Sequence, residues 1–334
     1  MLYGIKERLR KLADTRVSFR LHYMRIRNFT AHLLCVMPDT KYAKWMYKRY
    51  TGKSLHLEDP RTFDEKIWWL KLHNRNPLLT HCADKVAVRD YVINAGFADI
   101  LVPTLGIWER PKDIDFDTFA DEAMVKPNVG SGDNFLFAKG GELDNPQKHR
   151  YMRKVMDYAL RQKYHLISRE WHYKNVPPKI IAEAVLRDKD GRLPLDYKFF
   201  CFGGEPRILT LDLGVLHEDG SLNHHYRRNV YDMNFQLLPM LETRENSDMA
   251  VERPDNWERM INICRALSAP FPFCRVDLYN LEGKIYFGEI TFYHGGGCND
   301  IKPPEWDLRL GSWIDLNSEH IVYKSERRKS YAKK

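Results

Sequence analysis

The sequence predicts an α+β fold in which a helical front precedes a half dominated by mixed β-sheet. Apolar residues recur at helical spacing through much of the first 95 residues, whereas short apolar runs typical of strands dominate from residue 179 onward. Residues 275–291 additionally have the pattern of a β-hairpin. At 334 residues the chain is long enough for two or three structural units with a substantial core.

The predicted helices begin in the first 50 residues and continue after Thr62. Thr62 and Glu65, three residues later, form the pattern of a capping box ahead of an apolar run. A further helix is predicted over 84–95, because Gly96 follows the last apolar position as a helix terminus requires.

The remaining predicted elements are mostly strands, and no internal repeat interrupts them. Helices are predicted at 144–165 and 254–268, and strands at 123–127, 180–186, 197–202, 207–213, 273–279 and 284–293.

Charge is distributed unevenly along the chain. The formal charge is +8, but residues 1–50 carry +9, residues 321–334 carry +5, and the segment between them carries −6. A nucleic-acid enzyme is usually basic across its working face, so no nucleic-acid partner is expected. The basic ends predict contact with an anionic membrane surface or glycan, although a solvated helix face and tail fit the pattern equally well.

The sequence further predicts a cytoplasmic protein. No run of 18 apolar residues is present, so no transmembrane helix is expected, and the basic N-terminus lacks the apolar core of a signal peptide. The six cysteines form no CxxC pair or zinc-knuckle spacing, which favours a reducing compartment.

The predicted hairpin carries the strongest chemical signal. A three-residue loop at 281–283 sets Arg275 opposite Glu289 and places Arg275, Asp277, Glu289 and Thr291 on one face. Asp277 and Glu289 are then diagonal neighbours about 7–8 Å apart, close enough to share Mg²⁺ with substrate phosphates. An exposed sheet face with an Arg275–Glu289 pair is the alternative.

Two other segments suggest anion binding. Lys126 ends a predicted strand, and the amides of the glycine loop that begins at Gly130 can surround phosphate oxygens, although an ordinary turn is an equal alternative. Glu183 lies inside an apolar run, where a carboxylate is costly without a partner. Farther on, alternation predicts that Asp196 and Lys198 share one strand face.

The order of these motifs along the chain resembles that of the ATP-grasp superfamily. The residues within the motifs resemble its TupA-like branch, whose members act in polysaccharide biosynthesis. The resemblance covers about residues 45–315. It rests on Asp84-Lys85, Val125-Lys126-Pro127, the strand from Ala182 to Leu186, the Arg275-Val-Asp hairpin, Phe63-Asp-Glu-Lys66, Asp196-Tyr-Lys-Phe-Phe200 and Gly288-Glu-Ile-Thr-Phe-Tyr293.

The resemblance implies an ATP-grasp fold, two α+β subdomains that grip ATP, after a helical N-terminal region. It implies five segments: a basic helical arm at 1–50, an N-terminal subdomain at 51–120, a lid at 121–195, a C-terminal subdomain with the metal site at 196–318, and a basic tail at 319–334.

The resemblance also implies roles for individual residues. Those expected to bind ATP are Lys85 and Lys126 at the phosphates, the lid loop of Gly130, Ser131 and Gly132, the adenine contacts Glu183, Ala184 and Leu186, and Asp196 at the ribose or beside Lys198. Asp277 and Glu289 are the implied magnesium ligands. Arg275 and Lys198 are the implied catalytic residues.

One position departs from the family pattern. Thr291 stands where many relatives have Asn, and its hydroxyl is a weaker magnesium ligand.

Arg228 and His294 are candidate contacts to the acceptor substrate, although residues 224–228 equally suit a solvated loop.

The implied reaction is ligation of a carboxylate, on a glycan or its precursor, to a small amine or amino acid through an acyl-phosphate, with ATP and Mg²⁺. A kinase on the same fold and a glycosyltransferase are the alternatives. The latter would use an Asp-x-Asp motif, and Asp113, Asp115, Asp117, Asp188 and Asp190 supply that spacing, although turn residues explain it better. A hydrolase is disfavoured because no GxSxG motif accompanies the His294 glycine run.

Overall fold

The computed structural model describes residues 17–130, 133–215 and 225–323. Ser131 and Gly132, the first 16 residues of the basic arm, and the tail from residue 324 lie outside this range. Expectations for them therefore remain predictions.

Nine α-helices lie in the described residues. They are α1 (Val17–Leu34), α2 (Asp39–Thr51), α3 (Phe63–His73), α4 (Pro77–Ala83), α5 (Val88–Asn94), α6 (Pro146–Leu160), α7 (Tyr164–Ile167), α8 (Trp257–Ser268) and α9 (Pro304–Ser312). None of them is long and apolar enough to cross a membrane.

The described strands form three antiparallel sheets. A four-stranded sheet, the small sheet, has the order β1-β4-β2-β3 and contains β1 (Thr104–Trp108), β2 (Glu122–Pro127), β3 (Phe135–Ala138) and β4 (Ile180–Ala184). A five-stranded sheet, the large sheet, has the order β10-β9-β5-β6-β7 and contains β5 (Asp196–Phe202), β6 (Glu205–Leu213), β7 (Arg227–Asp232), β9 (Phe273–Leu281) and β10 (Lys284–Thr291). β8 (Leu241–Glu242) pairs with β11 (Ile301–Lys302).

Each larger sheet has its own apolar core. The small sheet packs against α6, and Met24 of α1 is buried in the same cluster. The large sheet packs against α8 and α3 around Phe199, Phe200 and Val276. The predicted α+β class, with helices in front, is confirmed.

Helix α3 begins with the predicted capping box. The Glu65 amide donates to the Thr62 hydroxyl (3.3 Å), and the Glu65 carboxylate accepts from the Thr62 amide (3.1 Å). The same carboxylate accepts from the Arg61 and His56 amides. The neighbouring Asp64 accepts two 2.7 Å hydrogen bonds from Asn299, so this motif fastens α3 to the C-terminal segment.

The helix predicted over 84–95 is wrong at its start. Asp84 is extended and ends α4, and its carboxylate accepts from the Val86 amide (2.8 Å) instead of continuing the helix. Helix α5 begins only at Val88, so Lys85 lies in the turn between two helices. Gly96 follows α5 with φ +91°, as the predicted terminus requires.

The hairpin forms, but its predicted register is wrong. Its loop has two residues, Glu282 and Gly283, with φ of +51° and +82°, so Leu281 pairs with Lys284. A bulge at Gly288 then shifts the pairing by one more residue. A Cβ at Gly288 would lie 3.0 Å from a backbone carbonyl, which explains glycine there.

The bulge changes which site residues meet. Glu289 lies directly opposite Asp277, rather than diagonal to it, and Thr291 rather than Glu289 lies opposite Arg275. Asp277 and Glu289 are therefore direct cross-strand neighbours, which lie closer together than the diagonal neighbours that the sequence predicted.

Two strand predictions also need correction. The strand at 180–186 ends at Ala184, which leaves Leu186 beyond the sheet. The interpretation of residues 224–228 as a loop is wrong for Arg227 and Arg228, which lie in β7. Alternation was hard to detect there, because polar residues occupy buried positions of the strand.

Candidate functional site

A narrow cleft between the small and large sheets collects charged side chains. Its walls include Lys126 and Glu183 from the small sheet and Glu289 from β10. Lys85 and Arg89, from the turn before α5 and from α5 itself, complete the lining. Five charged groups from four separate segments of the chain therefore meet in one place.

Glu183 has the partners that its apolar strand position requires. Its carboxylate lies 2.5 Å from Lys126 Nζ and 3.4 Å from Arg89 Nη1. All three side chains are mostly buried, with exposed fractions of 13–20%. Glu183 thus holds two cations at the cleft wall.

Lys85 reaches the start of the glycine loop. Its Nζ donates to the Gly130 carbonyl (2.8 Å) and lies 3.8 Å from Glu289. Burial lowers the pKa of Lys85, and the Glu289 carboxylate partly offsets that effect. Asn128, which donates to Asp84 and accepts from the Lys179 amide, ties this turn to the small sheet.

On the large sheet, Arg275 is held by three side chains. Its guanidinium makes a bidentate pair with Asp277, with both distances 2.6 Å, and donates to the Thr291 hydroxyl at 3.1 Å. Arg275 Nη1 lies 2.7 Å from His294 Nδ1. Sequence reasoning placed Arg275, Asp277 and Thr291 together, and the structure confirms that they share a face.

The contact to Arg275 fixes the tautomer of His294. A guanidinium nitrogen only donates, so Nδ1 accepts and the proton is assigned to Nε2. Burial lowers the pKa of His294, which keeps the imidazole neutral. Nε2 lies 3.2 Å from Glu242 Oε1, so His294 links Glu242 to Arg275.

Glu242 and Asp212 extend this arrangement and were missed by sequence reasoning. Arg228 donates to Glu242 and makes a bidentate pair with Asp212 (2.5 and 2.9 Å). Lys198 lies 3.4 Å from Asp212 and opposite Asp277 in register. No motif marks Glu242 or Asp212 in the sequence, since their partners lie on other strands or, for His294, in a separate 3-10 turn.

The resulting set of eight side chains is called the charge ring. Its members, in contact order, are Asp196, Lys198, Asp212, Arg228, Glu242, His294, Arg275 and Asp277. Arg228 is therefore occupied by two carboxylates rather than exposed in a loop.

Two described members of the ring have a buried polar atom without a hydrogen-bond partner, Asp196 and His294, whose Nε2 lies near Glu242 without a hydrogen bond. One oxygen of Asp196 lies 2.5 Å from Lys198 Nζ, as the predicted shared face implies, whereas buried Oδ1 has no hydrogen-bond partner among the described residues. Burial and the nearby Asp277 raise the pKa of Asp196 to about 6. Burial lowers the pKa of Lys198, but Asp196 and other carboxylates outweigh it and raise the pKa.

The donor set fits magnesium. Asp277, Glu289 and Thr291 offer oxygen atoms on one face of the hairpin, and Mg²⁺ binds through one or two carboxylates completed by substrate phosphates. Across the described ranges no three His, Cys, Asp or Glu side chains group to hold a metal alone.

The adenine-contact prediction matches the structure less closely. The Ala184 amide donates to the Pro103 carbonyl (3.0 Å), so that donor is already used within the chain. Leu186 lies two residues beyond the strand end.

The Asp-x-Asp sequences have local roles. Asp115 caps a short 3-10 turn by accepting from the Asp117 amide, and Asp113 pairs with Arg110. Asp188 accepts from the amides of Asp190 and Arg192 in a polar turn. None of these aspartates lines the cleft.

Comparison with known proteins identifies the family. The family model described as "TupA-like ATPgrasp" matches residues 65–315. The chain therefore belongs to the TupA-like ATP-grasp family, as the motifs suggested, and has the ATP-grasp fold. No curated protein sequence matches the chain significantly.

Solved structures similar to this chain include several ligases. D-alanine–D-alanine ligase from Bacillus anthracis has 13% identity and a TM-score of 0.36, with 67% of this chain and 62% of that chain covered. D-cycloserine synthetase DcsG has 17% identity, a TM-score of 0.41 and 71% coverage of both chains. L-amino acid ligase from Bacillus licheniformis has 13% identity and a TM-score of 0.40, with 65% of this chain and 44% of that chain covered.

Proposed function

We propose that this member of the TupA-like ATP-grasp family is an ADP-forming carboxylate–amine ligase. Its acid substrate is a uronic-acid carboxylate on a surface polysaccharide or its precursor, and its second substrate is a small amine or amino acid. The proposal includes cytoplasmic action, where ATP is available. The observation that carries it is the convergence of Lys85, Lys126 and Glu289 at one cleft, with Asp277 directly opposite Glu289 in the hairpin.

The nucleotide is proposed to lie between the two sheets. Lys85 and Lys126 neutralise its phosphates, and the loop of Gly130, Ser131 and Gly132 covers them. Lysines on one side of the cleft and hairpin carboxylates on the other suit nucleotide binding and phosphoryl transfer. That reaction depends mainly on positioning and charge stabilisation. Ala184 and Leu186 are proposed to border the adenine, and Asp196, through its unpartnered oxygen, the ribose.

Asp277 and Glu289, with Thr291, would hold Mg²⁺, which supplies charge neutralisation to the phosphates when bound. Arg275 is proposed to stabilise the oxyanion on the reacting carboxyl carbon, since its guanidinium is already oriented by Asp277 and His294. Lys198 adds a second positive charge beside Asp277.

The reaction follows from the chemistry of a carboxylate, whose oxygen is a poor leaving group. The carboxylate attacks the γ-phosphorus of ATP, ADP leaves, and an acyl-phosphate forms. The amine then attacks the carbonyl carbon, releasing inorganic phosphate and a proton and leaving an amide. The lid is proposed to lie at 121–195 and the reacting groups at 196–318.

Product analysis tests the ligase assignment. Incubation with ATP, Mg²⁺, a uronic-acid glycan and an amine mixture is expected to release ADP and phosphate and to form an amide detected by mass spectrometry. AMP as product would overturn the acyl-phosphate route. A stable phosphorylated glycan without amide would instead identify a kinase on this fold, and sugar transfer from a nucleotide sugar would identify a glycosyltransferase.

A further inference from the structure

Helix α1 has two apolar sides, of which the small-sheet core covers one. Met24 is buried and packs with Leu21 in that core, and Arg25 donates to the Tyr158 hydroxyl (2.6 Å). These contacts fasten α1 to the body of the protein by one face.

The other side of α1 is exposed. Ile26, Phe29 and Leu33 have exposed fractions of 63%, 66% and 59%, and their spacing of three and four residues places them on one side of the helix. Val36, which follows in the next turn, is 85% exposed. These four residues are called the α1 stripe. A helix that is apolar on opposite sides normally buries both of them.

The following helix adds positive charge and an aromatic ring. On α2, Trp45 is 40% exposed, and exposed cations surround it along the helix, namely Lys41, Lys44, Lys48 and Arg49. The described residues 17–51 hold seven basic residues and one acidic residue, Asp39. Tryptophan beside cations is typical of segments at a membrane–water interface.

We infer that α1 and α2 dock this protein on an anionic lipid bilayer, with the α1 stripe in the acyl–headgroup boundary and the α2 cations at the lipid phosphates. Apolar insertion combined with a basic patch gives reversible attachment, for which neither element alone suffices. The surface lies outside the proposed catalytic cleft, and the inference does not depend on the ligase reaction.

Charge and polarity distinguish this partner from two others. A second copy of the chain would bring another surplus of six positive charges from residues 17–51 against the first, which disfavours self-association. An anionic glycan would match the charge but offers no apolar phase for Phe29 or Leu33. A bilayer with anionic headgroups satisfies both features.

Vesicle sedimentation of the full chain tests the inference without any substrate. With vesicles of phosphatidylcholine and roughly one-third phosphatidylglycerol, wild-type protein is expected to pellet, and pure phosphatidylcholine or about 0.5 M salt should reduce binding several-fold. The double variant Phe29→Ser/Leu33→Ser is expected to lose at least about 10-fold in lipid affinity.

A matched control distinguishes the effect of substituting the α1 stripe from the effect of removing exposed apolar side chains elsewhere on the protein. Leu237 and Met249 are similarly exposed (51% and 57%) on other parts of the chain, so Leu237→Ser/Met249→Ser should bind vesicles like wild type. Equal vesicle binding by wild type and the stripe variant would overturn the inference, as would no wild-type binding. A wild-type dimer that the stripe variant dissociates would assign the face to self-association instead. Circular dichroism verifies that each variant is folded.

Discussion

Two buried polar clusters of this protein are built in different ways. In the first, the α3 anchor of Asp64, Glu65 and Asp307, carboxylates accept mainly from backbone amides and from Asn299. In the second, the charge ring, ionised side chains pair mostly with one another, and one buried oxygen of Asp196 has no partner among the described residues. The anchor is complete without a ligand, whereas the ring has capacity for one.

The difference suggests how to separate structural from functional polar groups in this protein. Carboxylates bonded to amides hold elements together, because every acceptor is satisfied in the folded chain. Charges paired only with charges are costly to bury, so they are expected where a ligand or reaction makes use of them. Substitutions in the anchor should therefore change stability, and substitutions in the ring should change activity.

The largest expected effect is loss of activity in Asp277→Asn. This change removes a charge paired with Arg275 and proposed to hold Mg²⁺, while it keeps the shape of the side chain. ADP formation per folded molecule is expected to fall on the order of 10²–10³-fold or more. The melting temperature should fall as well, because the buried Arg275 loses its counter-charge, so activity is normalised to folded protein. Asp300→Asn, at an exposed ion pair with Lys302, is the matched control and should stay active. Normal activity in Asp277→Asn would contradict the distinction between a structural anchor and a functional charge ring.

The anchor should behave in the opposite way. Asp64→Ala leaves the buried Asn299 amide without its acceptor, while the Asn299 side-chain nitrogen keeps only the His294 carbonyl at 3.2 Å. The unfolding free energy should therefore fall by about 2 kcal/mol. Urea denaturation measures this change. Activity per folded molecule should remain near wild type, and a large specific loss of activity would assign Asp64 to the site.

Asp64 also predicts a pH dependence of stability. Burial raises the pKa of Asp64 to about 7, although hydrogen bonds from Asn299 oppose that effect. Its neutral form is favoured in the folded protein, so the contribution of Asp64 is greatest below pH about 4 and is lost as pH rises through 7. Denaturation across this window should show a decrease in unfolding free energy on the order of 4 kcal/mol that is missing in Asp64→Asn. An equal slope in both proteins would contradict this assignment.

A smaller effect is expected at Glu242. It contacts His294, which in turn contacts Arg275, so Glu242 is a positioning residue. Glu242→Gln should lower kcat by roughly 10-fold with little change in KM for ATP, equivalent to about 1.4 kcal/mol. Nitrogen NMR of His294 should detect a change of tautomer or charge in the variant. An unchanged His294 signal and unchanged kcat would exclude positioning.

Local sequence rules predicted the elements that depend on neighbouring residues. The capping box at Thr62 and the face shared by Asp196 and Lys198 needed only spacing of three or two residues. The hairpin register was missed because the loop has two residues rather than three and because the bulge at Gly288 adds a second shift. Glu242 and Asp212 were missed because their partners lie on other strands or in the segment that contains His294, contacts that one-dimensional patterns do not contain.

The resemblance was informative about family but not about the role of each motif. Asp64 and Glu65 belong to one of the quoted motifs, yet both serve the anchor rather than the cleft. Lys85 and Lys126 do lie at the cleft, although Lys85 stands in a turn and not in the predicted helix. Distances and partners were needed to distinguish these cases.

The central claim is that the cleft between the two sheets binds Mg-ATP, and ligand-dependent thermal unfolding tests it most directly. Mg-ATP at about 100 times its Kd should stabilise wild type by roughly 2.7 kcal/mol, which raises the melting temperature. Lys126→Met should lose much of this shift at the same concentration, while Arg89 remains to pair Glu183. No shift with Mg-ATP, together with a clear shift by a nucleotide sugar, would contradict the claim.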